Sequence, residues 1–551
     1  MYCNYTPAPH VAYFTMEIAV DPRLRTYAGG LGYLAGSHAR SAWQLGLPLV
    51  GVSILWRSGY GDQTLNERGD VEVVMNRRET PFLRRVESVV TVRIFSEDVA
   101  VGACKIEPDV FGTVPVYLLT TDLPENPPHL RRLTDQLYQS DSRTRIAQEM
   151  ILGVGGLRML RAEREAVDIL HINEGHGLCA LFERLAETGQ DLDALRREAV
   201  FTTHTPIAAG NETHPASLLG EAGYFVETPY EQALALGGES FSLTAAALRM
   251  CRLANAVSQA HGRVANALWR EVSGRCPIIA ITNSVDLEYW QDARIAGARA
   301  PSELLAAKRQ MKQELFESVF YETGRHFHLD VLTLVWARRF ADYKRPLLLF
   351  RDLKRLGKLL GDQKIQLIFA GKFHPADEVG RALFNQTLAY SRELPNMAVM
   401  LNYDLALSQK LKRGADVWLN TPLRPLEASG TSGMSANMNG ALHLSSLDGW
   451  AAEGTFHGIN GFIFNPEPYR EFRPQEFAPT PERRDAQDAA DHAALMSLLE
   501  SEVLPCYYQD RVRWARMMRR AILAGDCYFH SERMVMEYYN RLYDPIFTGD
   551  C

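Results

Sequence analysis

The stretch from Thr421 to Ser435 has the sequence TPLRPLEASGTSGMS, and it decides how the rest of the chain is interpreted. Glu427 is the only carboxylate in this run of small, turn-forming residues. Glycines let a backbone approach a ligand closely, and successive N–H groups at the start of a helix bind anions. A carboxylate beside such a site suits a sugar phosphate, but a loop followed by a capped helix explains the same residues equally well. The other motifs of the chain have to distinguish these two interpretations.

The bulk properties restrict the class of protein. A chain of 551 residues is long enough for two or more domains, and its net charge of −7 implies no nucleic-acid partner. No apolar run reaches the roughly 18 residues that a membrane span needs. The eight cysteines are scattered without a CxxC pair, which favours free thiols over disulfides or zinc. We therefore predict a cytoplasmic protein without a membrane anchor and without a metal site.

Strands and helices alternate in two blocks, which is typical of α/β domains with parallel sheets. A helix is predicted from the glycine-rich turn at 27–36 to about Leu45, a second over Ile146–Leu160 and a third over 301–324. Residues 69–120 alternate apolar and polar and predict a β-rich insertion. The predicted strands of the two blocks are His10–Glu17, Leu47–Trp56, Ile169–Ile172, Ala199–Thr203 and Ile278–Ile281, then Val331–Trp336, Ile365–Ala370, Met397–Leu401 and Val417–Leu419.

Two Rossmann-like domains facing each other across a cleft account for this alternation. We predict a first, acceptor-side domain over residues 1–300, which includes the β-rich insertion. A second, donor-binding domain is predicted over 301–515, and C-terminal helices over 516–551 are expected to cross back to the first domain. Segment 466–490 is rich in Pro, Glu, Arg and Asp and predicts a surface loop, whereas 495–543 has a helical pattern.

Motifs spread over most of the chain resemble those of the α-glucan (glycogen/maltodextrin) phosphorylases, in particular their short bacterial form. They occur in the same order and are specific enough to exclude chance agreement. The motifs are AYFTMEI from Ala12, YAGGLG from Tyr27, HINEGH from His171, FTTHTP from Phe201, ITNSV from Ile281, ARRFADYKRP from Ala337, FAGKFHPADE from Phe369, DVWLNTPLRPLEASGTSGM from Asp416, LDGW from Leu447 and FHSERMVMEY from Phe529. The resemblance implies a GT-B fold.

The resemblance also implies roles for individual residues. Glu427, with the amides of Ala428, Ser429 and Gly430, is expected to hold the hydroxyls of the donor sugar, and Thr431 continues this donor-binding turn. Asn283 and His204 are expected on the 6-position side of that sugar and Tyr343 on its O2 side. The carbonyl of His204 would face the anomeric carbon. Arg339 and Lys344 would bind phosphate, assisted by the backbone N–H groups of Gly30 and Gly32.

One residue departs from the family pattern. The family holds pyridoxal phosphate (PLP) on a lysine that directly follows GTSGM, and Ser435 occupies that position here. A hydroxyl cannot form an imine, and the last lysine in the chain, Lys412, lies upstream. We therefore expect no covalent PLP. Related retaining GT-B transferases bind a nucleotide-diphosphate sugar in this space, where the hydroxyl of Ser435 would bind a ribose.

The sequence-based hypothesis is thus a PLP-independent, retaining glycosyltransferase on a phosphorylase-like scaffold. It would transfer a sugar from a nucleotide diphosphate to a sugar, sugar-phosphate or glucan acceptor. Two alternatives stay open: an α-glucan phosphorylase with non-covalent PLP, and a catalytically silent glucan-binding protein. Other changes from the family pattern, at Ser284, Gly61 and Ala451, leave the donor sugar and the acceptor undecided. The sequence does not fix the oligomeric state, and a homodimer is compatible with it.

Overall fold

The computed structural model describes residues 8–207, 210–466 and 479–544, and these form two compact units. The first unit contains residues 8–60, 75–282 and 531–544, and the second contains 61–74 and 283–530, within the described ranges. The chain therefore passes between the units four times, because three segments of one unit enclose two of the other. The domain boundaries near residues 300 and 515 stay predictions.

Twenty strands are present in the described residues, and we number them in chain order. They are β1 (Val11–Thr15), β2 (Leu49–Ile54), β3 (Asp62–Leu65), β4 (Val71–Val74), β5 (Arg84–Arg85), β6 (Val90–Ile94), β7 (Glu97–Ile106), β8 (Val116–Thr120), β9 (Ile169–Asn173), β10 (Ala199–Thr202), β11 (Thr213–Pro215), β12 (Ser240–Ser242), β13 (Leu253–Ala256), β14 (Ile278–Ala280), β15 (Leu332–Ala337), β16 (Ile365–Ala370), β17 (Met397–Met400), β18 (Val417–Asn420), β19 (Leu442–Ser446) and β20 (Gly461–Phe464).

The first unit is built on a ten-stranded mixed sheet with the order β14-β13-β10-β9-β1-β2-β8-β7-β5, in which β6 also pairs with β7. The strands from β14 to β8 run parallel, whereas β7 pairs antiparallel with β5, β6 and β8. Strands β1, β2 and β9 are buried along their whole length, as expected for parallel strands covered on both faces. The short hairpin β11–β12 lies outside this sheet.

The second unit has a fully parallel six-stranded sheet with the order β17-β16-β15-β18-β19-β20. Its residues belong to a hydrophobic core separate from those of the first unit. The antiparallel hairpin β3–β4 also belongs to this unit, where Val71 enters the core and Gln63 exchanges hydrogen bonds with Asn402. The part of the chain predicted as one β-rich insertion thus divides between the two units.

Helices of the described ranges surround both sheets. The α-helices are Gly30–Gln44, Pro108–Phe111, Pro128–Arg131, Ser142–Met150, Gly156–Ala162, Cys179–Glu187, Leu192–Glu198, Ala216–Ala222, Tyr230–Gly237, Leu243–Met250, Gln259–Leu268, Leu287–Trp290, Ala293–Gly297, Pro301–Thr323, Leu353–Gly361, Glu378–Glu393, Leu405–Gly414, Thr431–Asn437, Ala451–Gly454, Pro481–Leu498, Leu504–Gln509, Arg511–Cys527 and Ser531–Glu537. None of the helices found in the described residues is apolar and long enough to span a membrane.

The alternation predicted from the sequence is confirmed as a mixed α/β fold with parallel sheets. Each predicted strand of the two blocks is present to within a few residues. The surface loop predicted at 466–490 is wrong for its second half, because Pro481 starts a helix that runs to Leu498 and Thr480 caps it. Residues 467–478 of that predicted loop lie outside the described residues.

Candidate functional site

Three neighbouring strands of the second unit end beside one another and supply the candidate site. Arg338 directly follows β15, Asn420 ends β18, and Asp448 lies two residues after β19. Glu427 lies in the segment that follows β18. The carboxyl edge of a parallel sheet is where open α/β folds bind their ligands. The stretch from Thr421 to Ser435 therefore forms a loop at this edge of the sheet and then the first turns of the helix Thr431–Asn437.

Glu427 is the centre of a buried charge cluster. Lys344 Nζ lies 2.7 and 2.5 Å from the two oxygens of Glu427, and Arg338 Nη2 lies 2.8 Å from Oε2. All three side chains are 10% exposed or less. Burial by itself raises the pKa of Glu427, but the charges of Arg338 and Lys344 outweigh it and hold this pKa at about 2. The cluster of two cations and one carboxylate carries one net positive charge.

Further hydrogen bonds fix this cluster in place. Arg338 also donates to Asn420, and the backbone N–H of Glu427 donates to Asp448 Oδ2 at 2.9 Å. The Gly449 N–H donates to the other Asp448 oxygen, also at 2.9 Å. A carboxylate that accepts two backbone N–H groups is itself held rigidly, so Asp448 fixes the position of the Glu427 backbone.

Two glycines of the site are required by backbone geometry. Gly430 has a φ of +87° and caps the helix Thr431–Asn437, and Gly449 has a φ of +55°. A side chain on Gly449 would meet the Ser429 carbonyl and, at 3.0 Å, Cγ of Glu427. Both loops therefore approach Glu427 as closely as they do because these residues have no side chain.

Several buried polar atoms near Glu427 have no hydrogen-bond partner. They are Ser429 Oγ, His443 Nε2 and Trp450 Nε1, and the rings of His443 and Trp450 stack with centroids 4.9 Å apart. Burial lowers the pKa of His443 to about 3, so its imidazole is neutral. Buried polar groups are normally paired, and orphaned ones mark places where a ligand supplies the partner. These atoms suit the hydroxyls of a sugar.

Ser435 is fully buried in the helix that follows the loop. Its hydroxyl lies 3.3 Å from the carbonyl oxygen of Thr431 and 3.2 Å from that of Ser432, within its own helix. Asn437 on the same helix is also buried, and neither of its amide atoms has a partner. The position thus offers no amine for an imine with an aldehyde, and covalent PLP does not fit at Ser435.

The other residues predicted in the second unit have varied surroundings. Arg339 is exposed, and Tyr343 lies under Lys344 Nζ with 4.6 Å between the ring centroid and the nitrogen. Asn283 is buried, and its Oδ1 has no partner. Ala428 is buried as well, and Thr431 is half-buried at the first turn of its helix. The roles predicted for these residues stay predictions.

In the first unit, His204 follows β10 and lies beside the end of β9. Its Nε2 lies 2.7 Å from Asn173 Oδ1, and its backbone N–H donates to Glu174 Oε1. Burial lowers the pKa of His204 to about 3 and raises that of Glu174 to about 7. A neutral imidazole and a readily protonated carboxyl therefore share this edge of the first sheet.

Gly30 starts the helix Gly30–Gln44, and Gly32 lies in its first turn. The N–H groups of Ala28 and Gly29, just before that helix, donate to Glu17 Oε2 at 2.6 and 3.1 Å. A side chain on Gly32 would lie 2.5 Å from Cβ of Tyr27. Part of the glycine-rich turn thus binds a carboxylate of its own chain, and anion binding by Gly30 and Gly32 stays a prediction.

Sequence reasoning missed one residue of the charge cluster and two residues that hold the cluster in place. Arg338 was passed over in favour of its neighbour Arg339, and neither Asn420 nor Asp448 was selected. A usable signal for Arg338 was its place directly after a buried strand. For Asp448 the signal was the sequence LDGW, which was noted as a motif but not assigned a role.

Comparisons with known proteins agree with this arrangement. The family model described as carbohydrate phosphorylase matches residues 294–456, which include all the residues of the charge cluster. An uncharacterized protein of Methanocaldococcus jannaschii is 43% identical over 97% of this chain and 99% of its own length. The maltodextrin phosphorylase of Thermococcus litoralis is 35% identical, covering 97% and 70%. A glycogen phosphorylase of Aquifex aeolicus is 32% identical, covering 97% and 86%.

The fold and the site thus define an α/β protein of glycosyl-transfer type. The chain belongs to the carbohydrate phosphorylase family, because a maltodextrin phosphorylase and a glycogen phosphorylase match nearly all of it at more than 30% identity. The resemblance inferred from the motifs is confirmed.

Proposed function

We propose that this protein transfers glucosyl groups between an α-glucan and inorganic phosphate with retention of configuration. The observation that carries the proposal is the buried cluster of Arg338, Lys344 and Glu427, which lies inside the part matched by the family model. The names of the relatives support the same activity. The findings favour this phosphorylase activity over the nucleotide-sugar transfer that the sequence analysis preferred.

The chemistry follows from the charges of the cluster. Breaking a glycosyl bond to phosphate places negative charge on the phosphate oxygens, and preorganised cations stabilise it. Arg338 and Lys344 would supply this charge, with Glu427, Ser429 and His443 binding sugar hydroxyls. When bound, PLP would supply a second phosphate group beside the first. Since no amine is present at Ser435, no step proposed for this chain depends on that cofactor.

The same family resemblance supports the GT-B arrangement for the two units, with His204, Gly30 and Gly32 contributing to the reacting centre. The neutral imidazole of His204 agrees with a role in which its carbonyl, and not its ring charge, faces the anomeric carbon. These assignments belong to the proposal.

One observation favours a second candidate function. Ser435 is small, buried and unable to form an imine, and the neighbouring Asn437 has buried amide atoms without partners. A ribose or base would use such hydrogen-bonding groups. The second candidate is therefore retaining transfer from a nucleotide-diphosphate sugar to a sugar, sugar-phosphate or glucan acceptor.

One assay with three arms distinguishes the candidates. Purified protein is incubated with maltodextrin and phosphate, with the same mixture plus PLP, and with UDP-, ADP-, GDP- or dTDP-glucose plus maltodextrin. Glucose 1-phosphate in either of the first two arms supports phosphorolysis. Nucleoside diphosphate release in the third arm supports the transferase and would overturn the main proposal. No turnover in any arm, with glucan still bound, supports a catalytically silent glucan-binding protein.

The Ser435→Lys variant tests whether the space around residue 435 accepts PLP. A lysine buried at this place is costly on its own, so we expect a lower Tm without cofactor. Added PLP should restore the Tm and give an imine that borohydride fixes to the peptide containing residue 435. Ser501→Lys, at an exposed position of the same unit, is the matched control. Unchanged Tm with PLP and no labelled peptide would show that the space does not accept the cofactor.

A further inference from the structure

A second cluster of charged side chains lies in the first unit and consists of residues not used above. Glu149 is the second-last residue of the helix Ser142–Met150, Glu212 directly precedes β11, and His214 is the middle residue of β11. One oxygen of each carboxylate and one ring nitrogen of His214 all lie within 4.8 Å of one another. Two carboxylates and an imidazole are a common set of ligands for divalent metal ions.

The decisive feature is that the Glu149 carboxylate accepts no hydrogen bond, although Arg145 and His214 form longer ion pairs with it. Its side chain is 0% exposed, and neither carboxylate oxygen has a hydrogen bond. His214 Nε2, which faces this carboxylate, is also buried without a hydrogen bond. Burying a carboxylate without a hydrogen bond is expensive, and the guanidinium of Arg145, which donates to Glu212, lies 3.6 Å from Glu149 without a hydrogen bond to it. Both groups without hydrogen bonds therefore lie within 4.8 Å of each other and of Glu212.

The distances suit a shared metal ion better than direct hydrogen bonds. His214 Nε2 lies 3.3 Å from Glu212 Oε1 and 3.8 Å from Glu149 Oε1. Ligands placed about 2.1 Å from a tetrahedral ion are separated by about 3.4 Å. The two separations from His214 bracket this value, and the two carboxylate oxygens lie within 4.8 Å of each other, so the three donor atoms are close enough to share one ion.

Arg145 orients one of the carboxylates. It donates to both oxygens of Glu212, at 2.8 and 2.7 Å, and its Nε lies 3.6 Å from Glu149 Oε1. Ligating carboxylates are usually held by hydrogen bonds from surrounding groups, and Arg145 fills this role for Glu212. Its charge also limits how many further cations the site accepts, which favours a single ion.

We propose that Glu149, Glu212 and His214 bind one divalent transition-metal ion, of the zinc or manganese type. The site goes beyond the proposed function and does not depend on it. The ion would tie the helix Ser142–Met150 to the segment 212–215, which contains β11. Its effect would therefore be to hold that segment in place.

The test measures metal content directly. The full-length protein is stripped with a chelator, reloaded with Zn²⁺ or Mn²⁺, desalted and analysed by elemental mass spectrometry. We expect about one ion per chain in the wild type and at least a tenfold loss in Glu149→Gln and His214→Gln. Glu97→Gln and His129→Gln are the matched controls, because that Glu–His pair lies 2.9 Å apart on the surface of the same unit. Equal loading of all variants would overturn the site.

A measurement on the wild type alone guards against variants that fail to fold. Co²⁺ added to the stripped protein should give visible absorption bands that a stoichiometric amount of Zn²⁺ removes. The same Zn²⁺ should raise the Tm by about 5 °C when it is well above its dissociation constant. Absence of both the bands and the shift would mean that protons alone balance these charges, and the proposal would fail.

Discussion

At the scale of single residues, two kinds of group compete for the carboxylate of Glu427. Its carboxylate is expected to bind a sugar, yet in the structure it binds Arg338 and Lys344. A substrate hydroxyl therefore has to share this carboxylate with two cations. Sharing is chemically reasonable, because a carboxylate has about four acceptor positions and the two cations use three contacts.

Replacing Glu427 with Gln should inactivate the protein. The change keeps the shape but leaves Arg338 and Lys344 buried without a countercharge, which costs roughly 3 kcal/mol of stability. We expect glucosyl transfer to fall by about 100-fold or more, measured as glucose 1-phosphate formed from maltodextrin. The control is Glu482→Gln, at an exposed position of the same unit. Full activity in the Glu427 variant would remove this residue from the reacting centre.

The low pKa of Glu427 predicts how stability depends on pH. Because the folded-state pKa of about 2 lies below the unfolded value near 4.3, the charged form stabilises the fold above pH 4.3. This contribution is lost progressively as pH falls from about 4.3 to 2 and amounts to about 3 kcal/mol. Urea unfolding of wild type and Glu427→Gln at pH 7 and pH 3 measures it. The difference in free energy of unfolding between the two proteins should shrink at the lower pH.

The sequence predicted the residues of this cluster only in part. It identified Glu427 and Lys344 from two separate motifs but assigned them to different ligands, because motifs do not give the distance between two loops. It selected Arg339, whose role stays a prediction, and did not select Arg338, which is buried and contacts Glu427. Two adjacent arginines after a strand point to opposite sides, and only the packing of the sheet decides which one faces the site.

At the scale of elements, the chain's final helical segment contributes to the first unit's core. Tyr538 and Tyr543 are buried there, and the hydroxyl of Tyr543 lies 2.7 Å from His171 Nδ1 on β9. Burial lowers the pKa of His171 well below its usual value, so the ring is neutral and both its nitrogens are used in hydrogen bonds.

Tyr543→Phe should destabilise the protein without affecting the candidate site of the second unit. Removing the hydroxyl leaves His171 Nδ1 without its partner, which costs about 1 to 3 kcal/mol. Urea unfolding measures the loss, and Tyr230→Phe, at an exposed tyrosine of the same unit, is the control. Equal stabilities of the two variants would contradict the role given to this hydrogen bond.

There are physical reasons why the sequence analysis missed some of the elements. The first part of the helix Pro481–Leu498 falls in the predicted loop 466–490 because of its charged residues and proline, yet proline in the first turn after a capping threonine is typical of a helix start. Of the hairpin β3–β4, only β4 lies in the predicted β-rich stretch 69–120. The hairpin's place in the second unit was not predictable, because it depends on contacts with Asn385 and Asn402, more than 300 residues away.

At the scale of the whole molecule, the two units have separate cores, and their stabilities should be additive. Lys312 and Asp416 form a buried ion pair at 2.5 Å in the second unit. Asp416→Asn should cost about 3 kcal/mol, and combined with Tyr543→Phe the losses should add to within about 0.5 kcal/mol. Urea unfolding of the single and double variants gives this comparison. A coupling energy well above 0.5 kcal/mol would show that the cores are energetically linked.

The four passages of the chain between the units have a consequence for biosynthesis. Residues 531–544, which carry Tyr538 and Tyr543, leave the ribosome only after residues 283–530 have been made. The first unit begins to form early but lacks these side chains until the second unit has been translated. Nascent chains stalled near residue 530 should therefore hold β9 in a form that proteases cleave readily, and the last segment should make it resistant.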